Sequence, residues 1–362
     1  MWKRPAALAR TGACSLVTVA FAAIALTGCG SSNNDAATAS DSGTTSTKSD
    51  AGKATTKPSG PLTATKDLCQ KDHYKIGYDV FSATQPFANL VGKGLKDAAK
   101  KLGCVEVITT VDNQNGPVAV GNVKTMLNQQ ADGIVDFNVL APYQQAISNL
   151  LKKTNTPGVA VIGADLPGYP GVGADNYGAA VINGQELAKA GKAKFGDAVP
   201  YLVVAAEPTA GEIVMQRYHG TVAGAKKVYP DLPDNHIIQV KADGTESGTY
   251  PNAVSALSRV PSGSAILTTA ENDEVAHAMY KAAQARGFDQ FLVNSFGGDP
   301  FGLQQVCADP EHYAGALFLE PEKWGESALV VVMKMINGES YPKTVGITGT
   351  QVTADSPEAG CK

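Results

Sequence analysis

Beyond residue 72, short runs rich in valine and isoleucine alternate with longer segments whose apolar residues recur every three or four positions. Such runs indicate strands, and the longer spacing indicates amphipathic helices. The first strand is predicted at Tyr74–Val80, and the first helix begins at Pro86 and ends at Gly103, because proline suits the first helical turn and glycine suits the C-terminal cap. Further strands are predicted at Val105–Val111, 133–139, 159–162, 201–205, 236–240, 265–269, 291–296 and 314–319. Further helices are predicted from Pro117 and Pro142, and at about 209–228, 248–258, 272–286, 299–307 and 322–337.

Strands rich in valine and isoleucine that alternate with helices predict a parallel sheet covered on both faces. The number of strand–helix units exceeds what one sheet usually holds. The predicted fold class is therefore α/β, with two doubly wound, Rossmann-like parallel-sheet lobes.

The first residues have the pattern of an export signal. Lys3, Arg4 and Arg10 form a positive region, and an apolar stretch follows at 13–26. That stretch is too short to span a bilayer comfortably and leads into polar sequence. We therefore expect residues 1–28 to be removed on export.

The end of this signal, Leu26-Thr27-Gly28-Cys29, resembles the lipobox of bacterial lipoproteins. The resemblance implies that Cys29 is diacylated and anchors the protein to the cell membrane, facing the periplasm or the cell exterior. The alternative is an ordinary signal peptide with a chance cysteine. Residues 30–61 lack leucine, isoleucine, valine and aromatic residues, so 29–67 is predicted to be a disordered tether.

Charge and cysteine content fit an exported protein. The formal net charge is −4, and loss of three basic residues with the signal leaves −7. An acidic body argues against nucleic acid and anionic membrane surfaces as partners. Once Cys14 is removed and Cys29 is lipidated, four cysteines remain. Four cysteines allow three pairings, and four buried free thiols are the alternative.

We prefer the pairs Cys69–Cys104 and Cys307–Cys361. Cys69 precedes the first predicted strand and Cys104 precedes the second. Neighbouring parallel strands begin at the same edge of a sheet, so these two cysteines are expected to lie close together. Cys307 and Cys361 both fall late in the chain, and a bridge between them would hold the C-terminal tail.

Several loop motifs resemble those of type I periplasmic binding proteins of the ribose/galactose kind. They follow successive strands in the family's order. They are Ser82-Ala83-Thr84-Gln85-Pro86-Phe87, Asp112-Asn113-Gln114-Asn115, Asp175-Asn176, Ala270-Glu271-Asn272-Asp273-Glu274 and Phe296-Gly297-Gly298. The resemblance covers most of residues 72–345. It implies a two-lobed protein that closes on a small polar ligand, a sugar or polyol, and delivers it to an ABC permease.

The family's fold implies three crossings between lobes, which we expect near Asn176, Leu319 and Tyr341. The N-terminal lobe would then comprise 70–176 and 320–341. The C-terminal lobe would comprise 177–319 and 342–362. Both preferred disulfides would lie within one lobe.

Ligands of open α/β sheets bind beyond the carboxyl ends of the strands, where these motifs lie. The candidate ligand-binding residues are Gln85, Phe87, Asp165, Glu207, Arg217, Asn272, Asp299 and Glu320. Phe87 is either a plate for a sugar face or a core residue, and Arg217 is either a ligand contact or a surface ion pair. Asn272 is either a ligand contact or a helix cap; Asp273 could cap the helix in its place.

Three positions depart from the family pattern: Leu166 and Met215 stand where arginine is often found, and Gly297 stands where aspartate is often found. These departures leave a sugar derivative, a less hydroxylated polyol or another small polar metabolite as possible ligands.

Other function classes lack their motifs. We find no G-x-S-x-G elbow, P-loop or G-x-G-x-x-G after the first strand, and the five histidines show no metal-binding spacing. We therefore expect no catalytic residues, metal or cofactor, and a monomer. A repressor with this fold would need an N-terminal helix-turn-helix where this chain has an export signal. A ligand-sensing co-receptor of a signalling system is the alternative function.

Overall fold

The structure is a computed structural model that describes residues 54–55, 59–161, 165–347 and 349–361. The predicted signal peptide and Cys29 lie outside these residues. The described strands are β1 (Ala54–Thr55), β2 (Tyr74–Val80), β3 (Val105–Val111), β4 (Gly133–Phe137), β5 (Gly158–Val161), β6 (Gly171–Ala174), β7 (Tyr201–Ala206), β8 (Ile237–Lys241), β9 (Ile266–Thr269), β10 (Phe291–Gly297), β11 (Tyr313–Phe318), β12 (Tyr341–Pro342), β13 (Thr344–Ile347) and β14 (Thr350–Val352). The described α-helices are α1 (Pro86–Leu102), α2 (Gly116–Asn128), α3 (Ala141–Thr154), α4 (Asn176–Phe195), α5 (Glu212–Val228), α6 (Glu246–Leu257), α7 (Asp273–Ala285), α8 (Pro300–Ala308) and α9 (Pro321–Ile336).

The first lobe is built on a parallel sheet with the strand order β13-β6-β5-β4-β2-β3. β4 and β5 are buried along their whole length, as expected for strands with helices on both faces. One face packs against α1 and α9, whose largest fully buried side chain is Trp324, and the other face packs against α2 and α3. Every strand of this sheet therefore points its carboxyl end in the same direction.

The second lobe repeats this arrangement with the strand order β14-β11-β10-β9-β7-β8. Five strands are parallel, and the short edge strand β14 runs antiparallel to β11. α6 and α7 cover one face and α4 and α5 cover the other. The predicted fold class, two doubly wound α/β lobes, is confirmed.

The chain passes between the lobes three times, and the third crossing differs from the prediction. The first crossing lies before α4, and the second lies between β11 and α9. We expected the third near Tyr341, with 342–362 in the second lobe. Instead, Thr344–Ile347 pairs with β6 in the first lobe, so the third crossing lies between Ile347 and Thr350. The short strand β13 has too few residues for its sheet to be assigned from sequence.

The end of the predicted tether is ordered on the first lobe, which corrects its boundary at residue 67. Ser59 pairs with Val345 in β13. The backbone N–H of Leu62 donates to Ser327 Oγ at 2.9 Å, and that of Ala64 donates to Glu326 Oε1 at 2.9 Å. Ala64 is fully buried. We call residues 59–69 the N-terminal strap.

Helix α4 was not predicted, because its sequence is rich in alanine and glycine and has no strong apolar stripe. Glycines let it lie unusually close to α5. A β-carbon on Gly224 would lie 2.2 Å from the carbonyl oxygen of Val181, and one on Gly184 would lie 2.2 Å from that of Thr221. The first lobe has a matching pair, since a β-carbon on Gly325 of α9 would lie 1.9 Å from the carbonyl oxygen of Val91 in α1.

The two preferred disulfides are both present. Cys69–Cys104 joins the strap to the start of β3, with Cα atoms 6.0 Å apart. Cys307–Cys361 joins α8 to the C-terminal tail, with Cα atoms 5.2 Å apart. Each bridge lies within one lobe, so neither restrains movement of one lobe against the other.

Within the described residues, the helices are all too short or too polar to cross a bilayer.

Candidate functional site

A cleft between the two lobes lies at the carboxyl ends of both sheets. Its space, counted out to the solvent at its mouth, is about 720 Å³. Both lobes contribute to the lining. The lining residues are Phe81, Gln85, Phe87, Gln114, Phe137, Val139, Glu207, Ala210, Val214, Arg217, Gly244, Glu271, Asn272, Asp273, Glu274, Phe296, Gly297, Asp299 and Leu319.

The structure brings most of the predicted site residues to this cleft. Six line it: Gln85, Phe87, Glu207, Arg217, Asn272 and Asp299. Their role in binding stays a prediction.

Asp165 and Glu320 are not among the lining residues. Asp165 is exposed, and the neighbouring Leu166 is buried in the core between the sheet and α2 and α3. A core position accounts for the leucine where the family pattern has arginine. Glu320 precedes α9 with φ of +51° and forms an ion pair with Lys323.

Four phenylalanines form the apolar part of the cleft: Phe81, Phe87, Phe137 and Phe296. Phe81 and Phe137 meet edge to face with ring centroids 4.8 Å apart. Phe87 meets the buried Trp324 edge to face at 5.0 Å. Phe87 therefore packs on the core of the first lobe and also lines the cleft, and its role as a plate for a sugar face stays a prediction.

Asn272 is the N-cap of α7. Its Oδ1 accepts from the backbone N–H of Val275 at 2.8 Å, and its Nδ2 donates to the carbonyl oxygen of Gly244 at 3.0 Å. The sequence had suggested that Asp273 could cap this helix, and that idea is wrong. Asp273 instead accepts from the Ser295 hydroxyl and from two backbone N–H groups of the following loop.

That loop explains the glycine at position 297. Gly297 has φ of +136°, and a β-carbon there would lie 2.4 Å from Asp273 Oδ2. Only glycine suits this backbone conformation and this close approach. Asp299, two residues on, caps α8 by accepting from the backbone N–H of Gly302 at 2.9 Å, and it also lines the cleft. That it stands in for the aspartate of the family pattern stays a prediction.

Arg217 links three elements of the second lobe. Its Nε donates to Asn176 Oδ1 at 2.7 Å, at the first crossing, and its Nη1 donates to the carbonyl oxygen of Glu271. Its guanidinium lies over the Phe296 ring, 4.7 Å from the centroid. Burial lowers its pKa to about 10, so it stays charged at neutral pH. The alternative of a surface ion pair is wrong.

Two buried carboxyl groups of the cleft, Glu271 and Glu207, accept few hydrogen bonds. Glu271 is 4% exposed, and among the described residues neither of its carboxylate oxygens has a hydrogen-bond partner. Burial raises its pKa to about 8, and Glu207 and Asp243 add to the rise while Arg217 opposes it. Glu207 is also buried; its Oε1 accepts from the Thr209 hydroxyl at 3.3 Å, and burial raises its pKa.

Three buried aspartates lie at the carboxyl end of the first sheet, next to the residues that line the cleft. Asp79 in β2 is paired in register with Asp136 in β4, and Asp112 follows β3. Burial raises the pKa of Asp79 to about 6 and the pKa values of Asp112 and Asp136 to about 7, and mutual repulsion contributes for the latter two. Asp79 Oδ2 and Asp136 Oδ1 have no partner. We call Asp79, Asp112 and Asp136 the acidic triad.

The lobes approach each other across the cleft. A β-carbon on Gly211 in the second lobe would lie 3.2 Å from Ala141 Cβ in the first. The backbone N–H of Phe87, at the start of α1, favours the charged form of Asp299 in the opposite lobe, although burial still raises the pKa of Asp299. The structure thus describes a closed arrangement.

Sequence reasoning did not propose the other lining residues as ligand contacts, among them Phe81, Gln114, Phe137, Glu271 and Phe296. Gln114, Glu271 and Phe296 belong to the quoted motifs, but they had not been proposed as ligand contacts. Phe81 and Phe137 each end or follow a strand of the first sheet. An aromatic residue at the carboxyl end of a parallel strand was the available signal.

Comparisons with known proteins agree with this architecture. A family model described as periplasmic binding protein domain matches residues 76–340. A search of curated protein sequences finds no match.

Several solved structures share the fold. The Caulobacter myo-inositol binding protein bound to myo-inositol has a TM-score of 0.67 and 18% identity, covering 79% of this chain and 95% of that one. An ABC transporter solute binding protein from Mycobacterium smegmatis with bound glycerol has a TM-score of 0.67 and 18% identity, covering 80% and 97%. The transcription regulator CcpA of Lactococcus lactis has a TM-score of 0.64 and 16% identity, covering 78% and 99%.

Proposed function

We propose that this chain, which belongs to the periplasmic binding protein domain family, is the extracytoplasmic solute-binding lipoprotein of an ABC importer. The chain is a type I protein of the ribose/galactose kind, and its role is to bind a solute rather than to catalyse a reaction. Membership in this family implies an exported protein. The importer, the lipid anchor and the nature of the ligand are the parts that we add.

The observation that carries the proposal is a cleft between the two lobes that is lined by side chains from both of them. Phe87 and Gln85 come from the first lobe, and Arg217 and Glu271 come from the second. A ligand that contacts both sets stabilises the closed form by its greater affinity for that form. The structural neighbours with bound myo-inositol and glycerol support a small polar ligand of this size.

Closure follows from how the lobes are connected. Three chain crossings join them, and both disulfides lie within single lobes. Hinges of this kind absorb a domain rotation in a few residues at the ends of elements. We infer that the ABC permease recognises the closed face, and that the lipid on Cys29 keeps the protein near it.

Thermal-shift screening of the purified full-length protein over sugars, polyols, amino sugars and small metabolites tests the proposal. A ligand at 100 times its Kd should stabilise the protein by about 2.7 kcal/mol, with compaction visible by small-angle X-ray scattering. Gln85→Ala, which alters the cleft lining, should weaken binding at least threefold. Gln145→Ala, an exposed glutamine on α3 outside the lining, is the matched control.

A protein with no saturable ligand and no compaction in this screen would contradict the solute-binding proposal. Equal loss of affinity in the Gln85 and Gln145 variants would contradict the assigned cleft.

A further inference from the structure

The cleft is unusually rich in carboxylates for the number of cations it holds. Its acidic side chains are Glu207, Glu271, Asp273, Glu274 and Asp299, whereas Arg217 is the one cation among the described lining residues. Asp273 and Asp299 accept from hydroxyl and backbone N–H donors at the end of β10 and the start of α8. Glu207 accepts from the Thr209 hydroxyl alone, which leaves Glu271 as the buried acidic group with the least support.

Glu271 is the clearest case of an uncompensated carboxylate. It is 4% exposed and lines the cleft. Within the part of the chain that the structure describes, no other residue donates a hydrogen bond to either of its carboxylate oxygens. Arg217 does not neutralise it directly, because the guanidinium donates to the backbone carbonyl of Glu271 and to Asn176. A buried carboxylate without a partner is unfavourable. A ligand with a positively charged hydrogen-bond donor would supply the partner that the described residues do not, and this would favour its binding.

The rest of the lining offers little to a ring of neutral hydroxyl groups. Asn272 uses its amide to cap α7 and to bond Gly244. The remaining neutral amides are those of Gln85 and Gln114, and the other large surfaces are the four phenyl rings. Aromatic faces attract cations and apolar carbon skeletons alike.

We propose that the ligand of this cleft is a compact, sugar-sized amine that places its ammonium group at Glu271 and Glu207 and its carbon skeleton against Phe87 and the neighbouring rings. This inference rests on the proposed solute-binding function and names the class of ligand. Neutral sugars of the same size bring no positive charge to Glu271, so we expect them to bind less tightly than the amine.

Proton release gives an independent readout of this placement. The Glu271 carboxyl has a pKa of about 8, raised by burial and by Glu207 and Asp243 and opposed by Arg217. An ammonium group favours the ionised carboxylate. Binding of choline, whose positive charge does not depend on pH, is therefore expected to release a proton at pH 7 and to strengthen as the pH rises from 6 to 8. A neutral ligand should show neither effect.

The test uses isothermal titration calorimetry on the full-length protein with matched pairs of probes. The pairs are D-glucosamine against D-glucose and N-acetyl-D-glucosamine, and choline against 3,3-dimethylbutan-1-ol. We expect an amine to bind at least tenfold more tightly than its neutral partners. Glu271→Gln should lower amine affinity at least tenfold, whereas Glu212→Gln, an exposed glutamate of α5 outside the lining, should leave it unchanged.

The outcomes separate the two proposals. A neutral sugar or polyol that binds as tightly as its amine partner, or an amine whose affinity survives Glu271→Gln, overturns the amine inference and leaves the solute-binding function standing. Absence of saturable binding by every probe, together with no hit in the thermal-shift screen, overturns both. A tenfold preference for an amine with proton release supports both.

Discussion

Replacing Asp136 with asparagine should stabilise the protein, and the gain should depend on pH. Asp136 is fully buried in β4, and its Oδ2 accepts from Gln144 Nε2 at 2.9 Å while its Oδ1 has no partner. Asparagine has the same shape and keeps an oxygen for Gln144. The substitution therefore removes the ionisable group of this position without opening a cavity.

The size of the effect follows from the raised pKa. Well below pH 4 this carboxyl is neutral in both the folded and the unfolded protein, so there it adds no pH dependence to the free energy of unfolding. As the pH rises to about 7, the unfolded chain ionises first and folding is progressively disfavoured. For an isolated group the full penalty is about 4 kcal/mol. Because Asp79 and Asp112 share the repulsion, relief spreads over the acidic triad, and we expect a gain of about 1–3 kcal/mol at pH 8.

Urea unfolding of the wild type and Asp136→Asn at pH 4.5 and pH 8 measures this gain. The exposed Asp231→Asn is the control, since it removes one carboxylate with no packing change. The reasoning is refuted if Asp136→Asn is equally or more destabilising at pH 8 than at pH 4.5, or if Asp231→Asn reproduces its pH dependence.

Three further substitutions test other parts of the structure. Gly325→Ala should destabilise the protein by about 1–3 kcal/mol because the new β-carbon would meet the α1 backbone. Gly121→Ala, where the β-carbon would have open space, should instead stabilise α2 by about 0.5–1 kcal/mol. Similar thermal shifts for the two variants would contradict the close-packing argument. Asn272→Ala should cost about 1 kcal/mol of stability through loss of the cap while Asn272→Ser retains most of it; equal denaturation midpoints would argue against a capping role. Cys29→Ser should abolish radiolabelled palmitate incorporation and release the protein from the membrane fraction, and continued labelling would show that Cys29 is not the anchor.

Most strands and helices could be predicted from the sequence because the periodicity that marks them is a local property of the chain. Nearly every predicted strand lies within two residues of its place, and the loops at the strand ends form the cleft. Helix α4 was missed because its contact with α5 depends on glycines such as Gly184 rather than on an apolar stripe. The sheet that β13 joins could not be predicted either, since strand pairing between distant segments leaves no local pattern.

The sequence predicted which residues lie at the cleft better than it predicted what each of them does there. Motif order brought Gln85, Arg217 and Asn272 to the cleft, but hydrogen-bond partners decide what each one does. The engagement of Asn272 with Gly244 and the unpartnered state of Glu271 both arise from side chains that meet only in the folded chain.

The N-terminal strap determines where a pulling force from a membrane-anchored N-terminus would act on this protein. Residues 59–69 are fastened to the first lobe by pairing with β13, by bonds to α9 and by the Cys69–Cys104 bridge. A force applied from the N-terminal side therefore acts on the first lobe and not on the three crossings between the lobes. The second lobe carries no such attachment among the described residues. The free energy of opening and closing should then be the same with and without force on the N-terminal segment. Single-molecule pulling from the N-terminus should therefore leave ligand affinity unchanged until the first lobe itself unfolds.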